Sequence, residues 1–210
     1  MPIHLHTLML TFCLFILLPA QVLADEIGRV VAVLGSALAE RGEQRINLSR
    51  DDRLYEGDRL VTLEGSRLKI LLRDETTLAL GQNTVLELSK YQFDAQQSDV
   101  SLSFLQGAFR CNTGQIGQQK HPNFRIETRS ALIGVRGTDF WGGFIFDDDL
   151  GVAMLEGKGV YVENEYGRVE LTQAGEGTTV VQGRSPSNPV QWKPAKIERA
   201  IAETEVPEQL

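Results

Sequence analysis

The chain has 210 residues, with 21 Lys and Arg against 28 Asp and Glu and a formal net charge of −7. An acidic chain with scattered cations has no electrostatic footprint for nucleic acid and no basic stripe suited to anionic lipid. Beyond residue 24 it has one His and one Cys, too few donors for a metal site built on several His or Cys ligands.

The first element is an uncharged apolar run, LMLTFCLFILL, from Leu8 to Leu18. It has the length of a signal-peptide core and falls short of the roughly 20 residues a membrane span needs. Pro19 breaks the run, and Val22-Leu23-Ala24 offers small residues to a signal peptidase. Residues 1–24 are therefore expected to be a removable export signal, which leaves no retained membrane span and places the protein in the periplasm or otherwise outside the cytoplasm. The segment has no Lys or Arg, only His4 and His6; a retained anchor helix is the alternative. Asp25, not Cys, follows the cleavage point, which speaks against a lipoprotein.

From Asp25 to Gly183 the pattern has a period of two. Leu68, Ile70 and Leu72 alternate with Lys69 and Arg73, Val100, Leu102 and Phe104 with Ser101 and Ser103, and Phe124 and Ile126 with Arg125 and Glu127. Tyr161-Val162 and Val169-Glu170-Leu171 flank a turn at residues 163–167. Such alternation marks strands with one face on a core and one in water. Glycines punctuate the runs, and Leu63-Glu64-Gly65-Ser66, Leu105-Gln106-Gly107-Ala108 and Leu155-Glu156-Gly157-Lys158 form a weak internal echo. Gly there permits a bulge or a left-handed residue where one strand bends into the next. The expected fold is all-β: many short antiparallel strands in a twisted sandwich or short solenoid over residues 25–183. Residues 184–210 read as a linker around Pro186 and Pro189, then a short helix from Pro194 to Glu203 with Ile197, Ala200 and Ile201 on one face. A helix that short must dock, on its own domain or on a partner.

After export one cysteine remains, Cys111, so no intramolecular disulfide can form; it shares a strand face with Phe109, which points to burial. One histidine remains too, His121, beside Pro122. Nucleophile–base chemistry and cofactor binding are thus poorly provided for, and an enzyme, a metal site and a cofactor are not expected. Asp147-Asp148-Asp149 reads as a solvated hairpin turn, with calcium as the alternative.

Residues 134–140 read Gly134-Val135-Arg136-Gly137-Thr138-Asp139-Phe140. With Gly57-Asp58-Arg59-Leu60-Val61-Thr62, Leu105-Gln106-Gly107-Ala108-Phe109, Phe124-Arg125-Ile126-Glu127-Thr128 and Met154-Leu155-Glu156-Gly157-Lys158-Gly159-Val160, this block resembles the FecR domain, a periplasmic module. The resemblance covers roughly residues 57–165. The chain departs from the family pattern at Asp74-Glu75-Thr76, where Asp-Gly-Ser is common, and at Arg129, where Pro is usual. The regulators named for the domain resemble a relay with a cytoplasmic head and a membrane span; this chain, read as exported, is more similar to stand-alone members.

The resemblance does not fix the role of such stand-alone members; the expected function is an exported, non-enzymatic module for protein–protein interaction, sensing or scaffolding in the cell envelope, with a protein partner the sequence does not identify. The contact surface is expected on exposed strand edges or on the C-terminal helix. A binding module for a cell-wall or surface glycan is the alternative. The candidate recognition loop is Arg136, Gly137, Thr138 and Trp141. On the structural reading it is a tight turn in which Arg136 pairs with a carboxylate. On the functional reading Arg136 offers a planar fork to a carboxylate or phosphate, and Trp141 is an exposed stacking anchor. Phe140, Phe144 and Phe146 share the opposite parity and are expected on one buried face, unless Gly142-Gly143 adds a bulge that resets the register.

Overall fold

The alternating runs become strands, and the glycine-marked turns become crossings between two sheets. A computed structural model describes residues 25–94 and 96–207; the expected export signal lies outside the described residues. The strands are β1 (Glu26–Leu34), β2 (Ala37–Arg41), β3 (Gln44–Asn47), β4 (Arg53–Tyr55), β5 (Arg59–Thr62), β6 (Arg67–Leu72), β7 (Thr77–Leu80), β8 (Val85–Phe93) and β9 (Ser98–Gln106). They continue as β10 (Ala108–Asn112), β11 (Phe124–Thr128), β12 (Leu132–Val135), β13 (Thr138–Phe146), β14 (Asp149–Gly157), β15 (Val160–Asn164), β16 (Gly167–Leu171), β17 (Glu176–Val180) and β18 (Val190–Gln191). A 3-10 turn occupies Gln115–Gln118, and one helix, α1, spans Pro194–Thr204. Among the described residues no helix is long and apolar enough to cross a membrane.

One sheet runs β18-β17-β14-β13-β10-β7-β6-β1-β4 and the other β16-β15-β12-β11-β9-β8-β5-β2-β3. Apart from β3 and β4, which fold back at the start, each new strand adds to the same growing side of its sheet. The chain rolls forward, crossing between sheets as it goes, which is the sandwich-with-solenoid character that the spacing of strands and glycines suggests. Described pairings are antiparallel except β9 with β11, where the chain visits the other sheet through β10 before returning. The main core lies between the sheets, with Leu68, Ile70, Phe109, Cys111 and Phe140 from one facing Leu60, Leu86, Leu102, Phe104 and Ile133 from the other.

Two of the three echoed glycines, Gly107 and Gly157, lie at crossings that share a device. Gly65, Gly107 and Gly157 all have positive φ, at 66°, 90° and 123°. A Cβ on Gly107 would lie 2.3 Å from Thr84 Oγ1, and one on Gly157 would lie 2.6 Å from Thr138 Cα. Each threonine is buried and bonds the backbone of the crossing it faces. Thr84 Oγ1 donates to the Ala108 carbonyl and accepts its N–H, both at 3.1 Å. Thr138 Oγ1 donates to the Gly159 carbonyl at 2.9 Å and accepts its N–H at 3.1 Å. Thr62 Oγ1 donates to the Gly81 carbonyl at 2.5 Å and accepts the Thr84 N–H at 2.9 Å. A strand that leaves its sheet loses ladder partners, and a buried hydroxyl replaces them.

The C-terminal segment completes the fold. β18 extends the first sheet, and α1 lies on that sheet's outer face, where Trp141, Trp192, Ala108, Ala153 and Ala200 form a second apolar cluster. Gly177 makes room for the Trp192 indole: a Cβ there would lie 2.2 Å from its Nε1. Lys196 Nζ sits 3.7 Å from the Trp192 ring centroid, and Arg67 pairs with Glu203 at 3.7 Å. The helix therefore docks on its own domain, and its apolar face is spent there.

Candidate functional site

The Arg136 block is the connection from β12 to β13. Val135 is core. Gly137 takes φ +63°, and a Cβ on it would lie 2.6 Å from the Gly117 carbonyl oxygen, so two loops meet there backbone to backbone. Thr138 holds the crossing described above and accepts nothing from solvent, being 2% exposed; its own N–H is donated to Thr113 Oγ1 at 2.8 Å. Gly137 and Thr138 thus have structural work.

Two expectations about this loop are corrected. Trp141 is fully buried. It does face away from Phe140, but the outer face it occupies is covered by Trp192 and α1, with ring centroids 6.0 Å apart for the two indoles. It cannot serve as an exposed stacking anchor. Arg136 is exposed and, among the described residues, makes no ion pair or side-chain hydrogen bond, so the expected carboxylate partner is missing. The parity of the phenylalanines is also split. Phe140 and Phe144 lie with the main core, whereas Phe146 joins the tryptophans at 5.7 Å from each. The cause is a register shift between Gly143 and Phe146, just past the glycine pair.

Arg136 opens onto a cleft of about 580 Å³ lined by Lys120, His121, Pro122, Asn123, Phe124, Val135, Tyr161 and Arg168. Its walls are set by the fold. The loop carrying Lys120 and His121 is pinned at its start: the Gly114 N–H donates to Thr76 Oγ1 at 2.9 Å and the Gln115 N–H to the Asp74 carbonyl at 2.7 Å. Ile116 anchors it in the core. At its end Gln119 accepts from Ser98 Oγ at 2.5 Å and donates to the Asp94 carbonyl at 2.8 Å. The anchor beneath is polar and buried. Asp74 accepts from Thr76 Oγ1 at 2.6 Å and from the Tyr91 hydroxyl at 3.0 Å. Burial, with the Asp74 carboxylate beside it, pushes the Tyr91 hydroxyl well above the usual tyrosine range.

The opposite wall is an aromatic stack. Tyr161 pairs with Gly134 across β12 and β15, and a Cβ on Gly134 would lie 1.9 Å from Tyr161 Cζ, so the ring lies over the bare glycine. The Arg168 guanidinium covers the ring at 4.0 Å and is held by Glu163 at 3.2 Å and Glu170 at 3.0 Å. A smaller, separate recess shares Arg136 and Tyr161 with the cleft and is also lined by Lys158 and Glu170. The position of Tyr161 could have been read from its pairing with a strand glycine had the register been known; the sequence offered Trp141 instead.

The arrangement can hold an anion, and its lining carries no Ser, Thr or Cys side chain. Cys111 is wholly buried in the core, and burial pushes its thiol well up. Asp147 and Asp148 form the two-residue turn between β13 and β14, with φ near +60° at both, and Asp148 is engaged by Arg129 at 2.6 Å. Among the described residues no group of three His, Cys, Asp or Glu is placed to hold a metal ion.

Comparison with known proteins places this geometry in context. A family model described as FecR protein matches residues 58–158. No curated protein matches the chain. Two crystal structures of a protein described as a "putative anti-sigma factor" from Parabacteroides distasonis ATCC 8503 share the fold, at 18% and 19% identity and a TM-score of 0.53. Each alignment covers 67% of this chain and 62% of the other, so the chain spans less than two thirds of those proteins.

Proposed function

The chain carries a FecR domain, and from that premise we propose that it is an exported, non-enzymatic module for sensing or regulation in cell-envelope signalling, working by contact with a protein partner. The observation that carries this reading is Arg136. Within the family's Val-Arg-Gly-Thr block the fold uses Val135, Gly137 and Thr138 for packing, backbone geometry and a buried hydroxyl. It leaves Arg136 in solvent without a partner. An arginine that the fold does not use, on a cleft rim beside Lys120 and His121, suits recognition.

The description of the structural relatives as an anti-sigma factor agrees with a regulatory role. Residues 1–24 read as the export signal, with the mature protein beginning at Asp25. The glycan alternative loses its main support with the burial of Trp141, and docking of α1 on the first sheet removes the helix as a free contact surface. Chemical cross-linking in the native envelope followed by recovery of the protein tests the reading. It predicts a discrete protein adduct and a mature amino terminus at Asp25. Recovery of the protein alone, or only from the cytoplasm with its first 24 residues intact, would contradict it.

A further inference from the structure

We propose that the Arg136 cleft is the docking site for an acidic segment of the protein partner, an extended stretch bearing Asp or Glu side chains; this rests on the protein-contact reading above. The first argument is charge. The chain is acidic overall, and its surface arginines are mostly answered by carboxylates: Arg29 by Asp51, Arg45 by Glu40, Arg53 by Glu26 and Arg129 by Asp148. At the cleft the pattern is reversed. Lys120, His121 and Arg136 line one space, and among the described residues none has an ion pair or side-chain hydrogen bond. Arg168 pairs with Glu163 and Glu170, which leaves the cations without an ion pair on the Lys120–Arg136 side.

The second argument is shape and exposure. The cleft, at about 580 Å³, exceeds what one carboxylate fills. Lys120, His121 and Arg136 are all exposed. A single small anion there stays hydrated, and exposed ion pairs hold weakly. Affinity requires several contacts made together, which a segment with two or more carboxylates supplies. The half-buried Tyr161 ring, fixed between Gly134 and Arg168, adds an apolar wall for the segment's backbone or side-chain stems.

The test is fluorescence anisotropy with a labelled peptide of alternating Glu and Asp, its Gln and Asn counterpart, and inorganic phosphate as competitor. Saturable binding of the acidic peptide is expected, weakened roughly tenfold or more in the Lys120→Gln/Arg136→Gln double variant. Arg45→Gln, at the far end of the sheet, should leave binding unchanged. Equal binding of the neutral peptide, no loss in the double variant, or displacement by phosphate at matched charge would each overturn the proposal, the last by making the cleft a simple anion site. Envelope cross-linking of the double variant separates the two claims. A partner captured equally by variant and wild type leaves the contact reading standing and overturns the acidic-segment proposal. No partner for either protein overturns the contact reading and this proposal with it.

Discussion

Replacing Thr138 with valine removes one hydroxyl and nothing else of size. The site is 2% exposed, so water does not enter to compensate. Three hydrogen-bond contacts go, one to the Arg136 carbonyl at 3.3 Å and two to Gly159, and the consequences of the two at Gly159 differ. The Gly159 carbonyl keeps the Arg136 N–H at 3.1 Å. The Gly159 N–H loses the acceptor it has at 3.1 Å and is left buried. One buried, unsatisfied donor costs about 1–3 kcal/mol. For a domain of this size that lowers the melting temperature by roughly 2–4 °C per kcal/mol. Urea unfolding followed by intrinsic fluorescence measures the loss directly. Thr84→Val should match it, because the Ala108 carbonyl likewise keeps a second donor, the Gly81 N–H at 2.8 Å. A loss below about 0.5 kcal/mol in both variants would refute the idea that buried threonines hold the crossings.

Three further perturbations follow from the same structure. Glu75 sits at φ +67°, where glycine is unstrained; Glu75→Gly should raise stability by about 0.5–1 kcal/mol in the same assay, because relief of left-handed strain exceeds the added freedom of the unfolded chain. Trp192→Ala empties the space between Trp141, Phe146 and α1 and should cost about 3–5 kcal/mol, with limited proteolysis cutting first within residues 184–207. Hydrogen bonding from Lys90, with Arg125 nearby, holds the Asp99 carboxyl below its usual range. A depressed folded value stabilises the protein above the unfolded carboxyl's pKa of about 3.9 and loses that effect as pH falls further. Asp99→Asn should therefore cost up to about 1 kcal/mol at neutral pH, with the difference from wild type closing below about pH 4 in denaturant titrations.

Much of the fold was legible because alternation is a local signal. The runs around Leu68–Leu72, Val100–Phe104 and Phe124–Glu127 are strands, the 163–167 turn is a hairpin, and the helix predicted over Pro194–Glu203 ends one residue later. The burial of Cys111 followed from its parity with Phe109. What could not be read was which face of a strand a distant segment covers. Parity separated Trp141 from Phe140 correctly, but whether Trp141 meets water depended on α1, about fifty residues further on. The Gly142-Gly143 bulge was foreseen as an option; its effect on Phe146 depended on where the register slipped. The Glu75 position shows the reverse case. The family's glycine marks a left-handed residue, and this chain keeps the conformation without the glycine. At the site, Arg136 was found from the motif, whereas Tyr161 and Lys120 were not, because the cleft joins a crossover loop to strands that are distant in sequence.

The central claim, that this FecR-type fold acts through contact at the Arg136 cleft, is tested most directly by photo-cross-linking in the native envelope. A photoreactive residue at position 121, on the cleft rim, is compared with one at position 43, in the exposed turn between β2 and β3. The account predicts a discrete protein adduct from position 121, none from position 43, and loss of the adduct when Arg136→Gln is added. No adduct from position 121, or the same adduct from both positions, would contradict it.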